Sequence, residues 1–398
     1  MSLSVNPFVA GVEAPPISEA ATWVAGRDFP ADAPLIDVAQ AVPEIPPEDG
    51  LAAHMAGLTG RGDVAVYTAI HGLPDLRAAL ADDIAGLYRG GVGADDVFIT
   101  AGCNQAFYVA MTALAKPGDE VILAMPWYFN HKMTLDMLGV ATRPLPCRAA
   151  ARMLPDPAEA AALIGPDTRA IVLVSPNNPT GAVYPSDLLA DFLDVALANG
   201  VALVVDETYR DFLPPETARP HGLFARPDWR EAFVHLYSFS KVYCLAGYRV
   251  GAVVADPGLL DQIAKVMDCL QVCAPHVSQL GALYGIRNLA DWRAARRADM
   301  AVRLQALRDA LAGGNHGYEI AGDGAYFAYL RHPFAGRPAI QVAKWLAAEH
   351  NLLMLAGSTF GPDQEDHLRV AFANVDAAVM PAIADRLAAS ARGDGPPP

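Results

Sequence analysis

Val201-Ala-Leu-Val-Val-Asp206-Glu207-Thr208-Tyr209 is an apolar run that stops abruptly at an acid pair followed by a phenol. Five consecutive aliphatic residues, too few for a helix and rich in valine, read as a strand covered on both faces, and such strands belong to parallel sheets. The same form recurs at Val121 to Ala124, Ile171 to Val174, Phe233 to Tyr237 and Val250 to Ala255. Helical patterns lie between several of these runs. Ser186-Asp187, then Leu188, Leu189, Phe192, Leu193 and Val195, with Gly200 behind them, predict a helix with a capped start and a glycine stop. Pro74 through Leu87 repeats Leu76, Leu80, Ile84 and Leu87 after a first-turn proline, which predicts another. The alternation implies an α/β fold with a mostly parallel central sheet and helices on both faces.

The pattern changes along the chain. Residues 1–50 are rich in proline and short of periodicity, and read as an extended arm that packs over something else. After about Leu289 come an alanine- and arginine-rich helix, a strand expected over Gly324 to Leu330, and a helix from Ile340 to His350. We therefore expect a large sheet domain over residues 51–289, and a smaller α+β domain built from residues 290–398 together with the N-terminal arm. The closing Gly-Asp-Gly-Pro-Pro-Pro, residues 393–398, is expected to be a disordered tail.

A net charge of −15 supplies no electrostatic footprint for phosphate backbones, which argues against a nucleic-acid partner. The apolar runs are far too short to span a bilayer, so no membrane is expected. The first basic residue is Arg27, nothing near it marks export, and a cytoplasmic location follows as the expectation. Five cysteines (Cys103, Cys147, Cys244, Cys269 and Cys273) are an odd number without a Cys-x-x-Cys pair, so reduced and mostly buried thiols are expected, not a disulfide framework or a metal site.

Chemistry concentrates at Ser238-Phe239-Ser240-Lys241, with Gly247, Arg249 and Gly251 just beyond. An amine nucleophile, an arginine with hydroxyls for a phosphate, and a carboxylate with a phenol at a strand end form the set that covalently held pyridoxal phosphate requires. Two other readings compete. Val201 to Glu207 resembles the magnesium-holding strand of P-loop NTPases, but the chain has no Gly-Lys-Ser/Thr loop. Ser238 to Lys241 also satisfies the Ser-x-x-Lys of penicillin-interacting enzymes, but no Lys-Thr-Gly follows. Asn177-Asn178-Pro179-Thr180-Gly181 is by itself an ordinary turn. Placed after the strand Ile171 to Val174, it becomes a wall of the same site, because open α/β sheets bind ligands at the carboxyl ends of their strands.

The chain resembles the class I/II aminotransferases, which are fold-type I pyridoxal-phosphate enzymes. The resemblance covers roughly residues 35–375 and runs through eight ordered stretches: Tyr67 to Arg77, Thr100 to Gln105, Pro117 to Val121, Pro126 to Tyr128, Asn178 to Gly181, Asp206 to Tyr209, Ser238 to Lys241 with Arg249, and Leu368 to Phe372. It implies an amino group moved from an L-amino acid to a 2-oxo acid by a ping-pong mechanism, through a Schiff base on Lys241. It further implies that Asp206 pairs with the pyridine nitrogen, that Tyr209 and Asn178 hydrogen-bond the phenolic oxygen, and that Tyr128 stacks on the ring. Ser238, Ser240, Arg249 and the Gly102-Cys103-Asn104 helix start would hold the phosphate, Arg369 the substrate α-carboxylate, and Tyr67 the phosphate of a neighbouring subunit in a homodimer.

Three positions depart from the family pattern. Ala39 and Ala41 stand where glycines are usual, and His131 where tyrosine is frequent; all three are expected to border the substrate, with Ala41 close to the carboxylate. Motif matching assigns no second arginine to a distal carboxylate, so neutral or aromatic amino acids are favoured, with Trp23 and Tyr128 as apolar lining. The same scaffold also carries β-lyases, carbon-chain synthases and cyclases, which remain the alternative to transamination.

Overall fold

The computed structural model describes residues 3–313, 316–392 and 395–396. Seven strands form the central sheet: β1 (Val97–Thr100), β2 (Glu120–Met125), β3 (Ala141–Pro146), β4 (Thr168–Val174), β5 (Ala202–Asp206), β6 (Phe233–Ser238) and β7 (Gly251–Val254). Their spatial order is β1-β7-β6-β5-β4-β2-β3; β3 through β6 run parallel, and β7 is antiparallel to both β6 and β1. The chain passes from β2 outward to β3 and back to β4 on the other side of β2, so a crevice opens at the carboxyl edge between β2 and β4. Ile171, Val172 and Leu173 of β4 are fully buried. Each such side chain contributes roughly 1.5–3 kcal/mol through burial, so the site rests on a fully buried strand.

The helices are α1 (Pro7–Ala10), α2 (Pro16–Thr22), α3 (Asp49–Leu58), α4 (Pro74–Tyr88), α5 (Cys103–Leu114), α6 (Phe129–Met137), α7 (Pro157–Leu163), α8 (Ser186–Asn199), α9 (Pro257–Gln271), α10 (His276–Asn288), α11 (Ala290–Ala312), α12 (Ala339–His350) and α13 (Met380–Ala391). In α8, Leu189, Phe192, Leu193 and Ala196 form the buried stripe, and Gly200 ends the helix in a left-handed conformation at φ 64°. The expected side-chain cap is not made: Pro185 precedes the helix and Ser186 is its first residue, so the start relies on the fixed φ of proline.

A second sheet, β8 (Glu319–Gly324), β9 (Phe327–Arg331), β10 (Leu355–Ala356) and β11 (His367–Ala371), is antiparallel in the order β10-β11-β9-β8. The single strand expected over Gly324 to Leu330 is in fact the turn and second arm of a hairpin. Gly324 and Ala325 take positive φ there, 150° and 48°, and reverse the chain. The arm contains the two short helices α1 and α2, which lack of periodicity had hidden because each is two turns or fewer. Ile36 and Asp37 then pair in parallel with Leu352 and Leu353, so the first forty residues are tied to the last fifty. Cys269 lies in α9, but Cys273 falls beyond its end, so the two do not share a helical face. Part of the expected disordered tail, residues 393–394 and 397–398, lies outside the described residues.

The Asn177 to Gly181 turn packs on the β8–β9 hairpin so closely that a Cβ on Gly181 would stand 2.3 Å from the amide nitrogen of Gly324, at φ 75°. Gly181→Ala is expected to cost about 1–3 kcal/mol or more through strain and overpacking, read as a lowered thermal midpoint. An unchanged midpoint would show that this contact is not tight in solution.

Candidate active site

Asp206 is the last residue of β5 and only 4% exposed, so its carboxylate depends on local partners. Thr208 donates its amide to Oδ1 at 2.9 Å, and His131 Nε2 lies 3.2 Å from Oδ2. Burial works against the charge, but the His131 and Thr208 contacts outweigh it and hold the carboxyl below its ordinary value. His131 is fixed in turn by stacking on Phe107, with ring centres 4.0 Å apart. The adjacent acid, Glu207, faces the other way. Its Oε2 lies 2.7 Å from the Tyr88 hydroxyl, 3.1 Å from His221 Nε2 and 2.9 Å from His235 Nε2, and the histidines overcome burial to hold this carboxyl well below its usual range. The strand end thus carries two ionised acids, one on each side.

Asp206 lines a cavity of about 370 Å³ at the carboxyl edge of β2, β4, β5 and β6. Ala41, Cys103, Asn104, Tyr128, Asn178, Tyr209, Ser238, Ser240, Lys241, Arg249 and Arg369 line the same space. At one end the start of α5 presents the backbone amides that an α-helix leaves without internal partners. Gly102 caps it at φ 87°, and a Cβ there would lie 2.3 Å from Arg249 Nη2; Gly251 approaches Cys103 with equally little room. Arg249 itself has φ 54°, an unusual value for a non-glycine residue, and donates to the carbonyls of Ala246 at 2.8 Å and Ala101 at 3.4 Å.

At the other end Arg369, 1% exposed, projects from β11 between the rings of Phe327 and Phe360, each 5.0 Å away. Its Nη1 donates to Asn178 Oδ1 at 2.8 Å and its Nη2 to the Ala39 carbonyl. Lys241 lies between these ends and donates to the Ala41 carbonyl. Burial, then Arg249 and Arg369, push its pKa down to about 8. Tyr128 bonds Asn104 Oδ1 at 3.3 Å and accepts from Asn130 at 2.9 Å; burial raises its pKa to about 12. Tyr209 is raised well above the ordinary phenol value, chiefly by burial, and packs on Tyr326 and Phe327. Both phenols stay protonated and can donate.

Five residues expected at the site do not line the cavity: Gly102, Tyr67, Trp23, His131 and Ala39, the last of which reaches the site only through its backbone carbonyl on Arg369. Gly102 shapes the cradle from behind, and Tyr67, 77% exposed, does not line the cavity of its own chain. Trp23 does not line the cavity; it packs beneath Lys344, whose Nζ is 5.4 Å from the ring centre, and Ile17 and Pro15 occupy the lining instead. His131 does not border the substrate space either but stands behind Asp206. Its role was hidden because the contact joins residues 75 positions apart; only its place three residues after Tyr128, one turn into α6, was visible.

These residues fit pyridoxal phosphate. The glycine-lined helix start with Arg249, Ser238 and Ser240 suits a phosphate, Asp206 suits a protonated ring nitrogen, Lys241 an aldehyde, and the buried guanidinium of Arg369 a carboxylate. In the cofactor-free protein, acylation of Lys241 by a small amine-reactive reagent, followed by mass spectrometry, should have its pH midpoint near 8. Only the neutral amine reacts, so the rate rises with pH and levels off above the midpoint. A midpoint near the ordinary lysine value of about 10.4 would contradict this environment.

The family profile described as "Aminotransferase class I and II" matches residues 27–387. The aromatic aminotransferase of Arabidopsis thaliana is 28% identical over 330 residues, 81% of each chain. The arginine–pyruvate transaminase of Pseudomonas aeruginosa is 29% identical over 305 residues, 76% of this chain and 77% of that one. Among solved structures, an aspartate aminotransferase from Rhizobium meliloti superposes with a TM-score of 0.89 at 20% identity, over 98% of this chain and 99% of its own; at that identity it speaks for the fold alone. A profile that spans the chain from the arm to α13, on a fold whose cavity suits the cofactor, makes this protein a member of the class I and II aminotransferase family, a pyridoxal-phosphate-dependent aminotransferase.

Proposed function

We propose that Lys241, Asp206, Tyr209 and Arg369 carry transamination in this chain. The observation that carries the reading is that an amine, an ionised acid and a buried guanidinium line one cavity beside a helix-start phosphate cradle. Bound pyridoxal phosphate supplies a cationic ring that takes up the electron pair left on the substrate α-carbon. Lys241 Nζ would hold the cofactor aldehyde and, once displaced by substrate, would serve as the general base for the substrate α-proton. Its lowered pKa keeps a reactive fraction neutral near physiological pH. Asp206, kept ionised through His131 and Thr208, holds the proton on the ring nitrogen. Tyr209 and Asn178 would donate to the cofactor's phenolic oxygen, Tyr128 would stack on its ring, and Arg249 with Ser238, Ser240 and the Cys103 and Asn104 amides would hold its phosphate.

Arg369 grips the α-carboxylate common to amino donor and 2-oxo acceptor, so one pocket serves both half-reactions. Amino acids and 2-oxo acids are the substrates of this family. Residues 51–289 act in this reading as the cofactor-binding domain, and residues 1–50 with 290–398 as the smaller one. A homodimer belongs to the proposal because Tyr67, Val66 and Tyr248 stay exposed on one chain, and Tyr67 then reaches the partner's phosphate site. A cytoplasmic location suits five unpaired cysteines, and no described helix is long and apolar enough to cross a membrane.

Incubation with an amino acid and a 2-oxo acid should give paired exchange of the amino group; release of ammonia and pyruvate without an acceptor would instead mark a β-lyase. Lys241→Ala should abolish the exchange. Arg369→Lys, which cannot make the bidentate pair, should raise KM for donor and acceptor together by about 10–100-fold, with cofactor affinity retained. Mixing inactive Lys241→Ala with weakened Tyr67→Ala should restore activity, because one site of each hybrid dimer is then wild type. No recovery after subunit exchange would place Tyr67 outside the neighbouring site.

A further inference from the structure

The arm crosses the mouth of the cavity and is anchored on both sides of it. On one side Phe8 of α1 covers Gly139, just past α6; a Cβ on that glycine would come within 2.9 Å of the ring. On the other side Glu19 lies 3.5 Å from Lys344, and Arg27 donates to the carbonyls of Ala347 at 2.6 Å and Ala348 at 2.8 Å, all three residues being on α12. The stretch between the anchors places Pro15 and Ile17 in the cavity wall, which Asn130 of α6, Gln40 and Val42 also line. Sequence separation hides this, but the two anchors make the wall a strap under constraint at both ends.

Among the described residues that line the cavity, the cations are Lys241, Arg249 and Arg369. Arg249 is pinned over Gly102 by two carbonyls, and Arg369 is clamped between two rings and bonded to Asn178. With the phosphate and the α-carboxylate assigned to these two, and Lys241 to the reacting carbon, no further cation is left among the described residues that line the cavity. Of the other lining groups, Gln40 and Asn130 are neutral, and the Asn130 amide already donates to Tyr128. A second carboxylate in that space would lose water without gaining a countercharge, whereas an aliphatic, thioether or aromatic side chain would bury apolar surface against Ile17, Pro15 and Val42.

Building on the residue roles proposed above, we propose that this strap is the specificity wall, that Ile17 meets the substrate side chain, and that the enzyme takes amino acids with uncharged apolar side chains in preference to dicarboxylic ones. The test follows conversion of the cofactor-loaded enzyme to its pyridoxamine form by absorbance, with methionine, leucine, phenylalanine, aspartate and glutamate as donors. Alongside it, calorimetry compares binding of 4-methylpentanoate and succinate, which need no turnover. Wild type should prefer the apolar donors by about 100-fold in kcat/KM and bind 4-methylpentanoate more tightly. Ile17→Lys should raise aspartate relative to methionine by about tenfold or more, and Phe8→Ala, which frees one anchor, should narrow the range among donors. Ratios within one variant are insensitive to the fraction folded. Aspartate used as well as methionine, or donor ratios unmoved in Ile17→Lys, would overturn the wall alone. Conversion of no donor, with 4-methylpentanoate still preferred over succinate, would support the wall and overturn the roles assigned to Lys241 and Asp206.

Discussion

Asp206 carries a negative charge where burial opposes it, and the arrangement of the cavity depends on how that opposition is met. An isolated buried carboxylate would take up a proton and lose its use as a partner for a cationic ring. Here the Thr208 amide bonds Oδ1 and His131 stands against Oδ2, with Phe107 behind the imidazole. The hydrogen-bond donors come from the turn that follows β5 and from the helix that follows β2, so the acid is stable only when those segments meet. Glu207 repeats the solution on the opposite side with Tyr88, His221 and His235, which fixes the backbone direction that aims Asp206 into the cavity.

Around this acid the positive charges are kept apart by rigid means. Arg249 is held by backbone carbonyls next to two glycines that leave no room for a side chain. Arg369 is held by two aromatic faces and an amide oxygen. Lys241 lies between them, so burial first and then each guanidinium discourage its ammonium. The same residues that receive anions at either end therefore prepare the amine in the middle. Binding sites and nucleophile are one electrostatic unit.

The second sheet and the arm act on this unit from outside. Arg369 belongs to β11, whose neighbours β9 and β10 fix its height above the central sheet, and Gly181 locks the Asn178 turn to the β8–β9 hairpin. The 36–44 segment brings the Ala39 and Ala41 carbonyls to Arg369 and Lys241, while Asn374 and Arg303 hold it through Val42 and Glu44. Contacts between the two chain ends thereby reach the reacting centre.

Much of this was readable from residues in a row. Buried parallel strands announce themselves as short aliphatic runs, so β2, β4, β5, β6 and β7 were evident; β1 is only four residues, and β3, with two prolines and mostly solvated faces, carries little apolar signal. Lys241, Asp206, Asn178, Arg249 and Arg369 were legible because each sits in a local stretch whose spacing already states its chemistry. The hairpin at Gly324, the absent cap on α8, the removal of Trp23 from the lining and the entry of Ile17 were not, since each depends on what lies across the fold. Sequence by itself determined the order of chemical groups along the chain and the kind of cofactor they suit, because those follow from covalent neighbours and side-chain type. Only the tertiary structure decided that His131 supports Asp206 and that the arm walls the cavity, because those are contacts between segments that the chain separates and packing alone brings together.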